Sequence, residues 1–443
     1  MMLRRQEDPY EPSIADTTRS NGPVFRVAEL RVLDAAMLKR QIIAFGGDES
    51  FNAATKGELI CEVLRLHTRR GGAIVTDGVL ELSPEGIGFL RNAASGYHAS
   101  PEDPCVLPSI VRRYSLRAGD TVVGQMRPPR DPKERCYALV NVESVNGIPI
   151  TENIVRAQPF DQLECILPKR RIVLEVLDDI ALRVMDLMAP LGFGQRGFIT
   201  AAPRTGTTAL LQKVANAITK RYAEAMVFIV VVGGRPEDRS ALCGATKASV
   251  MFTSFDEGME QQVQMAELVL EQAKRSAEVG KDVVILLDSA TRLTRAYASF
   301  LPTSNKVPAG SIDTNAIQRM RRYLGSARKT AMEGSITMLS VMTAETGSRS
   351  DDIIREELAD VCNWELVLTK ELALKRISPA INIERSANHF EEVLLDPEEY
   401  ARVQRLRNVL DGVSPADAMD MLVKRLKNSG SNAEFLMSMK ENV

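Results

Sequence analysis

Residues 201–208 (Ala-Ala-Pro-Arg-Thr-Gly-Thr-Thr) have the pattern of a phosphate-binding loop from which the lysine is missing. Such a loop needs a glycine so that backbone N–H groups can approach phosphate oxygens, a lysine for the β- and γ-phosphates, and a Ser or Thr hydroxyl for Mg²⁺. Gly206 and Thr208 stand in register with these roles, but Thr207 occupies the lysine position. A hydroxyl cannot supply the full positive charge of a lysine. The loop therefore predicts a nucleotide-binding fold and leaves its capacity for hydrolysis open.

The segments around the loop favour this interpretation over an ordinary Thr/Gly-rich turn. The apolar pair Phe198-Ile199 precedes the loop as a predicted strand, and apolar residues recur at helical spacing over residues 209–218. A second motif points the same way. Residues 283–288 are an aliphatic run that ends in Asp288, the usual source of the carboxylate that positions Mg²⁺. Together the two motifs predict an α/β nucleotide-binding domain.

Length and composition limit the classes of protein that the chain can represent. Its 443 residues allow two or three domains with ample core. The net charge of −2 gives no global signal for nucleic acid, so contact with RNA or DNA must depend on local patches. No apolar run approaches the roughly 18 residues of a membrane span, and the first residues do not resemble a signal peptide. We expect a cytoplasmic protein without membrane contact.

The cysteines carry no recognisable metal or redox motif in the sequence. No CxxC pair and no zinc-ligand spacing occurs among the six. They are interpreted as buried or incidental thiols of a reducing compartment. Their positions are Cys61, Cys105, Cys136, Cys165, Cys243 and Cys362.

Changes in sequence texture divide the chain into five segments. Residues 1–25 are polar and are expected to be disordered, and residues 26–70 have the apolar spacing of a small helical module. Residues 71–150 consist of short alternating runs broken by Gly, Pro and Asp, which predicts a small β-barrel. Residues 151–175 form a connector rich in proline and charge. Residues 176–430 alternate strand and helix patterns and end in amphipathic helix.

An ordered series of short segments runs through all three of the larger parts of the chain. Its members are residues 77–82, 88–91, 112–117, 119–121, 127–129, 194–197, 281–283, 286–289, 291–293, 295–297, 346–348, 375–376 and 379–381. Any one of these segments is a weak signal, but their order across three domains is specific. Through these segments the chain, from about residue 30 to 411, resembles the bacterial transcription terminator Rho family. Members of that family are hexameric ring ATPases that translocate on RNA.

The resemblance implies a fold and a set of ligands. It implies a multidomain chain with a small N-terminal helical module, an OB-fold β-barrel that binds single-stranded RNA, and an α/β RecA-like P-loop domain that uses ATP and Mg²⁺. It also implies a hexameric ring and RNA polymerase as a further partner. It assigns the metal to Thr208 and Asp288. It assigns nucleotide binding to Gly192, Gly194, Gln195, Arg196, Gly197, Arg204, Thr205, Gly206, Thr207, Thr208, Ala209 and Arg235.

The departures from the family pattern fall at working positions. Thr207 replaces the phosphate-loop lysine, and Gly234 replaces the glutamate that would orient the attacking water. His389 stands where the arginine finger is expected, with an alignment shifted by one residue as the alternative. A neutral imidazole lacks the permanent charge of a guanidinium, whose effect elsewhere is about 10³-fold or more. Ser378 replaces the aromatic residue that stacks on adenine. Because Thr207, Gly234 and His389 are also changed, no catalytic residue is expected to be intact.

The RNA-binding positions are partly retained. Phe89 and Arg91 match the family, whereas Ile87 stands where a second aromatic residue is expected, and Cys105 and Cys136 stand where tyrosines are expected. Stacked bases contribute about 1–3 kcal/mol each at such sites. Weak RNA binding and its loss are both left open, as is an ordinary surface role for the basic residues. The resemblance assigns RNA binding to Phe89, Arg91, Arg112, Arg113 and Glu134, and in the ring pore to Lys306 and Arg349.

Two hypotheses follow from these residues. The first is a catalytically silent Rho-like subunit, with ATP binding weak or lost, that forms its own ring or joins rings of an active relative. The second is an active RNA-dependent ATPase and helicase that terminates transcription, in which Arg204 covers for the missing lysine. Thr207, Gly234 and His389 favour the first hypothesis. A rotary-ATPase-type subunit also has a RecA-like core. Subunits of that class usually have a Gly-rich phosphate loop and lack a barrel motif of the kind at residues 88–91, and both differences argue against this third hypothesis.

Overall fold

The computed structural model describes residues 24–48, 51, 55–130, 134, 136–151, 156–176, 178–300 and 312–439. The chain divides into two compact units, Met1–Ala157 and Gln158–Val443. Two expectations fall largely or wholly outside the described residues. They are the disordered N-terminal segment, of which residues 1–23 are not described, and the pore residue Lys306.

The first unit contains short helices at its start and strands after them. Its strands are β1 (Val24–Arg26), β2 (Ala73–Leu82), β3 (Gly88–Arg91), β4 (Cys105–Val106), β5 (Thr121–Arg127), β6 (Ala138–Val145) and β7 (Ile148–Pro149). Its helices are α1 (Val27–Val32), α2 (Ala35–Ala44), α3 (Lys56–Arg69) and α4 (Pro108–Arg113).

The strands of the first unit close into a barrel. The long strand β2 pairs antiparallel with both β3 and β5, β5 pairs with β6, and the short β4 joins β3 to β6. Alternating burial along β5 places one side of this strand in the barrel core. Strand β1 adds to β2 in parallel register, with Phe25 opposite Ile74. Val24 and Phe25 therefore form a strand, which corrects the expectation of disorder for these two residues.

The helices of the first unit pack directly on the barrel. Helix α3 starts at a capping box in which Thr55 and Glu58 satisfy each other's backbone N–H groups, and its apolar face is buried. A single core cluster joins residues of α1–α3 to Ile74 and to Tyr137 of the barrel. The Tyr137 hydroxyl also donates to the Cys61 carbonyl oxygen over 2.9 Å. The helices and the barrel thus share one core within the first unit.

The second unit alternates strands and helices. Its strands are β8 (Cys165–Ile166), β9 (Arg171–Ile172), β10 (Leu191–Gly192), β11 (Arg196–Ala201), β12 (Met226–Gly234), β13 (Ser249–Ser254), β14 (Asp282–Asp288), β15 (Arg328–Thr330), β16 (Ser335–Thr343), β17 (Trp364–Leu368) and β18 (Ile381–Asn388). Its helices are α5 (Ile180–Met188), α6 (Thr207–Arg221), α7 (Pro236–Cys243), α8 (Met259–Glu278), α9 (Ala290–Phe300), α10 (Thr314–Gly325), α11 (Arg349–Leu358), α12 (Lys370–Leu374), α13 (Glu391–Leu394), α14 (Pro397–Leu410), α15 (Pro415–Lys427) and α16 (Asn432–Ser438).

A central sheet organises the second unit. Its strand order is β13-β12-β14-β16-β11-β17-β18, and every pair in it is parallel except the last. Its central strands are almost continuously apolar and buried, as expected for a sheet covered on both faces. The carboxyl ends of β11, β12 and β14 meet at one edge, where ligands of open parallel sheets bind. The predicted phosphate loop and Asp288 both lie at this edge.

The C-terminal helices are fastened to the second unit by a buried arginine. Arg183 on α5 is 1% exposed. Its guanidinium donates to the carbonyl oxygens of Leu426 and Ser429, each over 2.8 Å, and to the Asn432 side chain over 3.0 Å. These acceptors close the end of α15 and the start of α16. Within the described part of the chain, no helix is both long enough and apolar enough to cross a membrane.

Candidate nucleotide site and RNA-binding face

The loop between β11 and α6 has the backbone of an anion-binding site. Gly206 is the N-cap of α6 with φ of 91°, a left-handed conformation that glycine adopts without strain. Arg204 has φ of 66°, and the Thr205 hydroxyl donates to the Ala202 carbonyl oxygen over 2.8 Å. The first N–H groups of a helix lack partners within the helix, and its dipole favours anions at that end. The loop can therefore cradle phosphate through its backbone, without a lysine at Thr207.

The two predicted metal-binding side chains lie in direct contact. Thr208 on α6 donates through its hydroxyl to Asp288 Oδ2 over 3.1 Å. The other carboxylate oxygen, Oδ1, accepts from the guanidinium of Arg292 on α9. Asp288 is 4% exposed, so both partners compensate a nearly buried charge. A Mg²⁺ ion would have to compete with Arg292 for this carboxylate.

Arg292 has no role in the sequence prediction, although its position four residues after Asp288 places it one helical turn from the carboxylate. Besides Asp288, its guanidinium donates to the Gly233 carbonyl oxygen over 2.7 Å and to Ser289 Oγ over 3.2 Å. The arginine thus ties the end of β12 to the end of β14. It fixes the cleft edge and neutralises the acidic group there.

The position of the expected catalytic glutamate is closed by neighbouring side chains. Gly234 is buried at the end of β12, where the pairing with β13 is irregular and Gly233 has φ of 58°. A Cβ atom at Gly234 would lie 2.5 Å from Val231 Cγ1 and 2.7 Å from Phe252 Cε2. Such distances are well inside van der Waals contact, and Val231 and Phe252 are themselves buried. This backbone therefore lacks space for a side chain as well as lacking the carboxylate.

These groups line one cleft at the carboxyl edge of the sheet, with a volume of about 950 Å³. Arg295 on its far wall pairs with Asp351 of α11, which also accepts from the Thr346 hydroxyl over 2.8 Å. Arg349, a predicted pore residue, is exposed at the start of the same helix. The predicted nucleotide-binding residues that line the cleft are Arg204, Gly206, Thr207, Thr208, Ala209 and Arg235, together with Gly234 and Asp288.

Five residues predicted to bind the cofactor lie at the opposite end of β11 from the phosphate loop. Gly192, Gly194, Gln195, Arg196 and Gly197 sit at or before the amino end of β11, whereas the phosphate loop follows its carboxyl end. They have structural roles there. The buried Gln195 amide donates to the Asn388 side chain over 2.7 Å, and the Arg196 guanidinium donates to two backbone carbonyl oxygens. A Cβ at Gly194 would lie 2.4 Å from the Lys329 nitrogen, and one at Gly197 2.5 Å from Trp364. None of these five residues lines the cleft of its own chain.

His389 and Ser378 lie at opposite ends of β18. Asn388 at the end of β18 pairs with Trp364, which pairs with Gly197 at the amino end of β11. The exposed His389 is therefore about 13 Å of strand away from the loop that follows Ala201. Ser378 precedes β18 on the loop side of the sheet, where Thr369 donates to the Ala380 carbonyl oxygen over 3.0 Å. Hence only Ser378 is near the cleft of its own chain.

The barrel carries an aromatic residue with an arginine stacked on it. Phe89 is half-buried on β3, and the Arg91 guanidinium carbon lies 4.9 Å from its ring centroid. Arg91 also donates to Glu81 over 2.6 Å and to Asp103 over 3.0 Å. Its charge is thus already compensated. Arg91 holds the aromatic platform in place, and its charge is less available to a phosphate than the sequence suggested.

The remaining predicted RNA-binding residues of the barrel fall into two environments. Arg112 and Arg113 are exposed at the end of α4, and Arg113 lies 5.4 Å from the Tyr114 ring centroid. Glu134 accepts two hydrogen bonds from Arg127, over 2.7 and 3.0 Å. These bonds lower the pKa of Glu134 to about 2. The two arginines of α4 therefore offer exposed positive charge, whereas Glu134 stays ionised and bonded to Arg127.

Family models match both units of the chain. The Rho termination factor RNA-binding domain matches residues 76–151, and the nucleotide-binding domain of the ATP synthase alpha/beta family matches residues 181–388. A solved ATPase from the type III secretion system of pathogenic bacteria aligns with a TM-score of 0.51 at 21% identity. It covers 66% of this chain and 93% of its own, and it supports the fold alone. The barrel is an OB-fold, and the second unit contains a RecA-like P-loop domain.

Curated relatives match over nearly the whole chain. The transcription termination factor Rho of Pseudomonas aeruginosa is 40% identical over 418 residues, which cover 94% of this chain and 97% of its own. That of Aquifex aeolicus is 39% identical over 423 residues, with coverages of 93% and 97%. That of Rhodopirellula baltica is 38% identical, with coverages of 98% and 88%. The chain therefore belongs to the transcription termination factor Rho family, with the RNA-binding and ATPase domains of that family.

Proposed function

We propose that this chain is a Rho-family ring subunit that binds single-stranded RNA and hydrolyses ATP very slowly or not at all. Its role would be regulatory, in a ring of its own or in a mixed ring with an active relative, in transcription termination in the cytoplasm. RNA polymerase would be a further partner of that assembly. The motor would hold nucleotide weakly.

The observation that carries this proposal is the closed space at Gly234. A water molecule that attacks a phosphate must be oriented or deprotonated by a positioned group. Gly234 has no such group, and Val231 and Phe252 leave no room for one on the present backbone. Loss of the carboxylate is thus accompanied by packing that has filled its place. A single compensating side chain elsewhere in the cleft would have to supply both position and basicity.

The phosphate and metal positions support weak nucleotide binding. Backbone N–H groups at the start of α6 remain available to phosphate, and Thr208 and Asp288 offer two oxygen atoms to Mg²⁺. The lysine charge is absent at Thr207, and Arg292 already occupies one oxygen of Asp288. Bound ATP·Mg²⁺ would supply the transferable phosphoryl group. The chain's own residues would bind it less tightly than an intact loop does.

The barrel supports the RNA-binding part of the proposal. Phe89 presents a half-buried ring on which a base can stack, and Arg112 and Arg113 present exposed charge on α4. Base stacking on aromatic rings tolerates any sequence, and phosphate contacts add affinity that salt reduces. In the second unit, the exposed Arg349 would face RNA in the ring pore. The chain therefore retains groups for holding RNA, while the groups for moving it are missing.

The test is RNA-dependent ATP hydrolysis by the purified full-length chain. The Pseudomonas aeruginosa Rho, assayed with the same single-stranded RNA, is the matched positive control. We expect no RNA-stimulated hydrolysis above background for this chain, while filter binding detects its complex with RNA. A turnover on the order of 1 s⁻¹, within the usual range of enzymes, would refute the proposal.

The alternative of an active ATPase rests on Arg204. This residue is exposed, lies two residues before Gly206 and lines the cleft, so its guanidinium could approach a bound phosphate. It would have to approach from a different direction than the lysine of an intact loop. If the alternative holds, the wild-type chain hydrolyses ATP and the Arg204→Gln variant loses that activity. Hydrolysis that is unchanged in Arg204→Gln would exclude this role.

A further inference from the structure

Two half-buried cysteines of the barrel, Cys105 and Cys136, lie in contact although 31 residues separate them in the chain. Cys105 is the first residue of β4, which runs parallel to β6 with Cys105 opposite Ala138. The Cys105 N–H donates to the Tyr137 carbonyl oxygen over 2.7 Å. Cys136 directly precedes Tyr137. This pairing of backbones makes Cys105 and Cys136 neighbours in space.

The two thiols differ in character. The hydrogen bond between them lowers the pKa of Cys136 to about 7 and raises the pKa of Cys105. Nearby Arg127 lowers the pKa of Cys136 further, while Glu134 and partial burial oppose that effect. A partly accessible thiolate beside a second thiol is the arrangement of a redox-active pair.

From this juxtaposition we propose that Cys105 and Cys136 form a reactive dithiol site whose substrate is a hydroperoxide and whose product is a disulfide across β4 and β6. The Cys136 thiolate attacks the outer oxygen of the hydroperoxide, so an S–O bond forms and the O–O bond breaks. The leaving alkoxide or hydroxide takes a proton, and Cys136 becomes a sulfenic acid.

The second step uses the neighbouring thiol. Cys105 loses its proton and attacks the Cys136 sulfur, so the S–S bond forms and the S–O bond breaks. The departing hydroxide combines with that proton to give water. In sum, two thiols and one hydroperoxide give one disulfide, one alcohol or water, and one further water. Two electrons pass from the sulfurs to the peroxide, and a dithiol reductant reverses the change.

The other four cysteines are internal controls for selectivity. Burial raises the pKa of both Cys61 and Cys362 to about 12, which leaves little thiolate at neutral pH. Cys165 and Cys243 are exposed. Comparison with these four cysteines therefore separates the effect of a neighbouring thiol, present at Cys105 and Cys136, from the effect of solvent exposure alone.

The test is peptide mapping by mass spectrometry after brief treatment of the full chain with hydrogen peroxide at neutral pH. We expect a cross-linked peptide pair containing Cys105 and Cys136, reversed by dithiothreitol. In Cys105→Ser, a sulfenic acid at Cys136 should be trapped by dimedone. In Cys136→Ser, peroxide-dependent loss of the Cys105 thiol should slow at least about tenfold. Cys243→Ser should still form the disulfide. Oxidation that spares the pair, or that is faster at Cys165 or Cys243, would overturn the proposal.

A consequence for RNA rests on the proposed function. Cys105 lies opposite Phe89 in the β3–β4 register, so the disulfide would form on the proposed RNA-binding face. Conversion of the thiolate to a neutral disulfide removes a negative charge from that face, and RNA affinity should rise severalfold at low salt. The mapping does not involve RNA. Absence of the disulfide thus overturns the site, whereas a disulfide without change in RNA affinity overturns only its role in RNA binding.

Discussion

The Thr208 hydroxyl donates to Asp288 Oδ2 over 3.1 Å and so joins the start of α6 to the end of β14. The residues come from two segments recognised separately in the sequence, and the sheet brings them together. With Arg292 on the other carboxylate oxygen, Asp288 is satisfied without a metal ion. The acidic group of the cleft therefore has a structural role as well as its expected metal-binding one.

The first prediction concerns Arg292. Arg292→Met removes a guanidinium from a nearly buried carboxylate and should lower the free energy of unfolding by about 1–3 kcal/mol. Mg²⁺ should recover part of this loss in the variant and have little effect on the wild type, because it can then reach Asp288. Thermal unfolding with and without Mg²⁺ measures both effects. Arg321→Met, which removes exposed contacts with Asp360 and with the Glu357 carbonyl oxygen, is the control and should cost less than about 1 kcal/mol. Equal stability of Arg292→Met and wild type would contradict the prediction.

The second prediction tests the space at Gly234. Gly234→Ala should destabilise the second unit by about 1–3 kcal/mol, because its Cβ overlaps Val231 and Phe252. Gly325→Ala is the matched control, since a Cβ there meets no atom within 4 Å and Gly325 belongs to helix α10. That control should be neutral or slightly stabilising. Urea unfolding compares the two variants, and a neutral Gly234→Ala would show that the position can accept a side chain.

The third prediction concerns Thr207. Thr207→Lys should increase ATP affinity at least about tenfold, corresponding to about 1.4 kcal/mol, because it restores a charge beside the phosphates. It should not restore hydrolysis, since Gly234 still offers no group to the attacking water. Isothermal titration and an ATPase assay measure the two properties. Thr207→Gln, long but neutral, should leave affinity unchanged.

The added substitution Gly234→Glu extends this test. In the Thr207→Lys background it should remain poorly active unless Val231 or Phe252 is also reduced in size, since the new side chain would otherwise displace them. Full activity of the simple double variant would show that the cleft is intact apart from two residues. Continued inactivity after the space is opened would implicate His389 or Ser378.

The fourth prediction addresses RNA binding. Phe89→Ala should weaken binding to single-stranded RNA by about 1–3 kcal/mol, the contribution of one stacked base. Ile87→Ala, which removes a side chain that is exposed and aliphatic, is the neighbouring control and should have little effect. Arg112→Gln should lower affinity and also reduce its salt dependence, because it removes a phosphate contact. Fluorescence anisotropy at several salt concentrations measures all three. Wild-type affinity of Phe89→Ala would rule out a base on this ring.

The fifth prediction concerns the C-terminal helices. Arg183→Met removes a buried guanidinium that donates to the Leu426 and Ser429 carbonyl oxygens and to the Asn432 side chain, and it should cost roughly 3 kcal/mol. Lys424→Met, which removes an exposed ion pair to Asp420 on the same helix, should cost less than about 0.5 kcal/mol. Chemical unfolding gives the difference, and limited proteolysis should release α16 first in Arg183→Met. Equal stability of the two variants would contradict the assigned role of Arg183.

Much of the fold followed from local pattern. The apolar run before the phosphate loop, the helical spacing after it and the aliphatic strand ending in Asp288 predicted an α/β nucleotide-binding domain, and the second unit has this alternation of strands and helices. The family resemblance, carried by short ordered segments, is confirmed by relatives that match most of the chain. Such features depend on neighbours in sequence, which is why the sequence alone was sufficient for them.

The errors and omissions concern contacts between distant segments. The predicted cofactor role of Gly192, Gly194, Gln195, Arg196 and Gly197 gains no support from their position. They lie at or before the amino end of β11, whereas the phosphate loop follows its carboxyl end, so the strand separates the two. Gly234 revealed a missing carboxylate, but not the packing of Val231 and Phe252, which depends on an irregular strand pairing. Likewise, no sequence spacing indicated that Cys105 and Cys136 meet.

His389 lies level with the amino end of β11, and the phosphate loop follows its carboxyl end. If the proposed ring assembles head to tail, one chain would contribute to two different clefts. In a ring shared with an active relative, each copy would then disable its own cleft through Gly234 and the adjacent cleft through His389. Activity of mixed rings would fall more steeply than the fraction of this chain added. A small fraction of this chain in mixed rings would thus be enough to set their ATPase activity, and the cellular amount of the chain would regulate that activity.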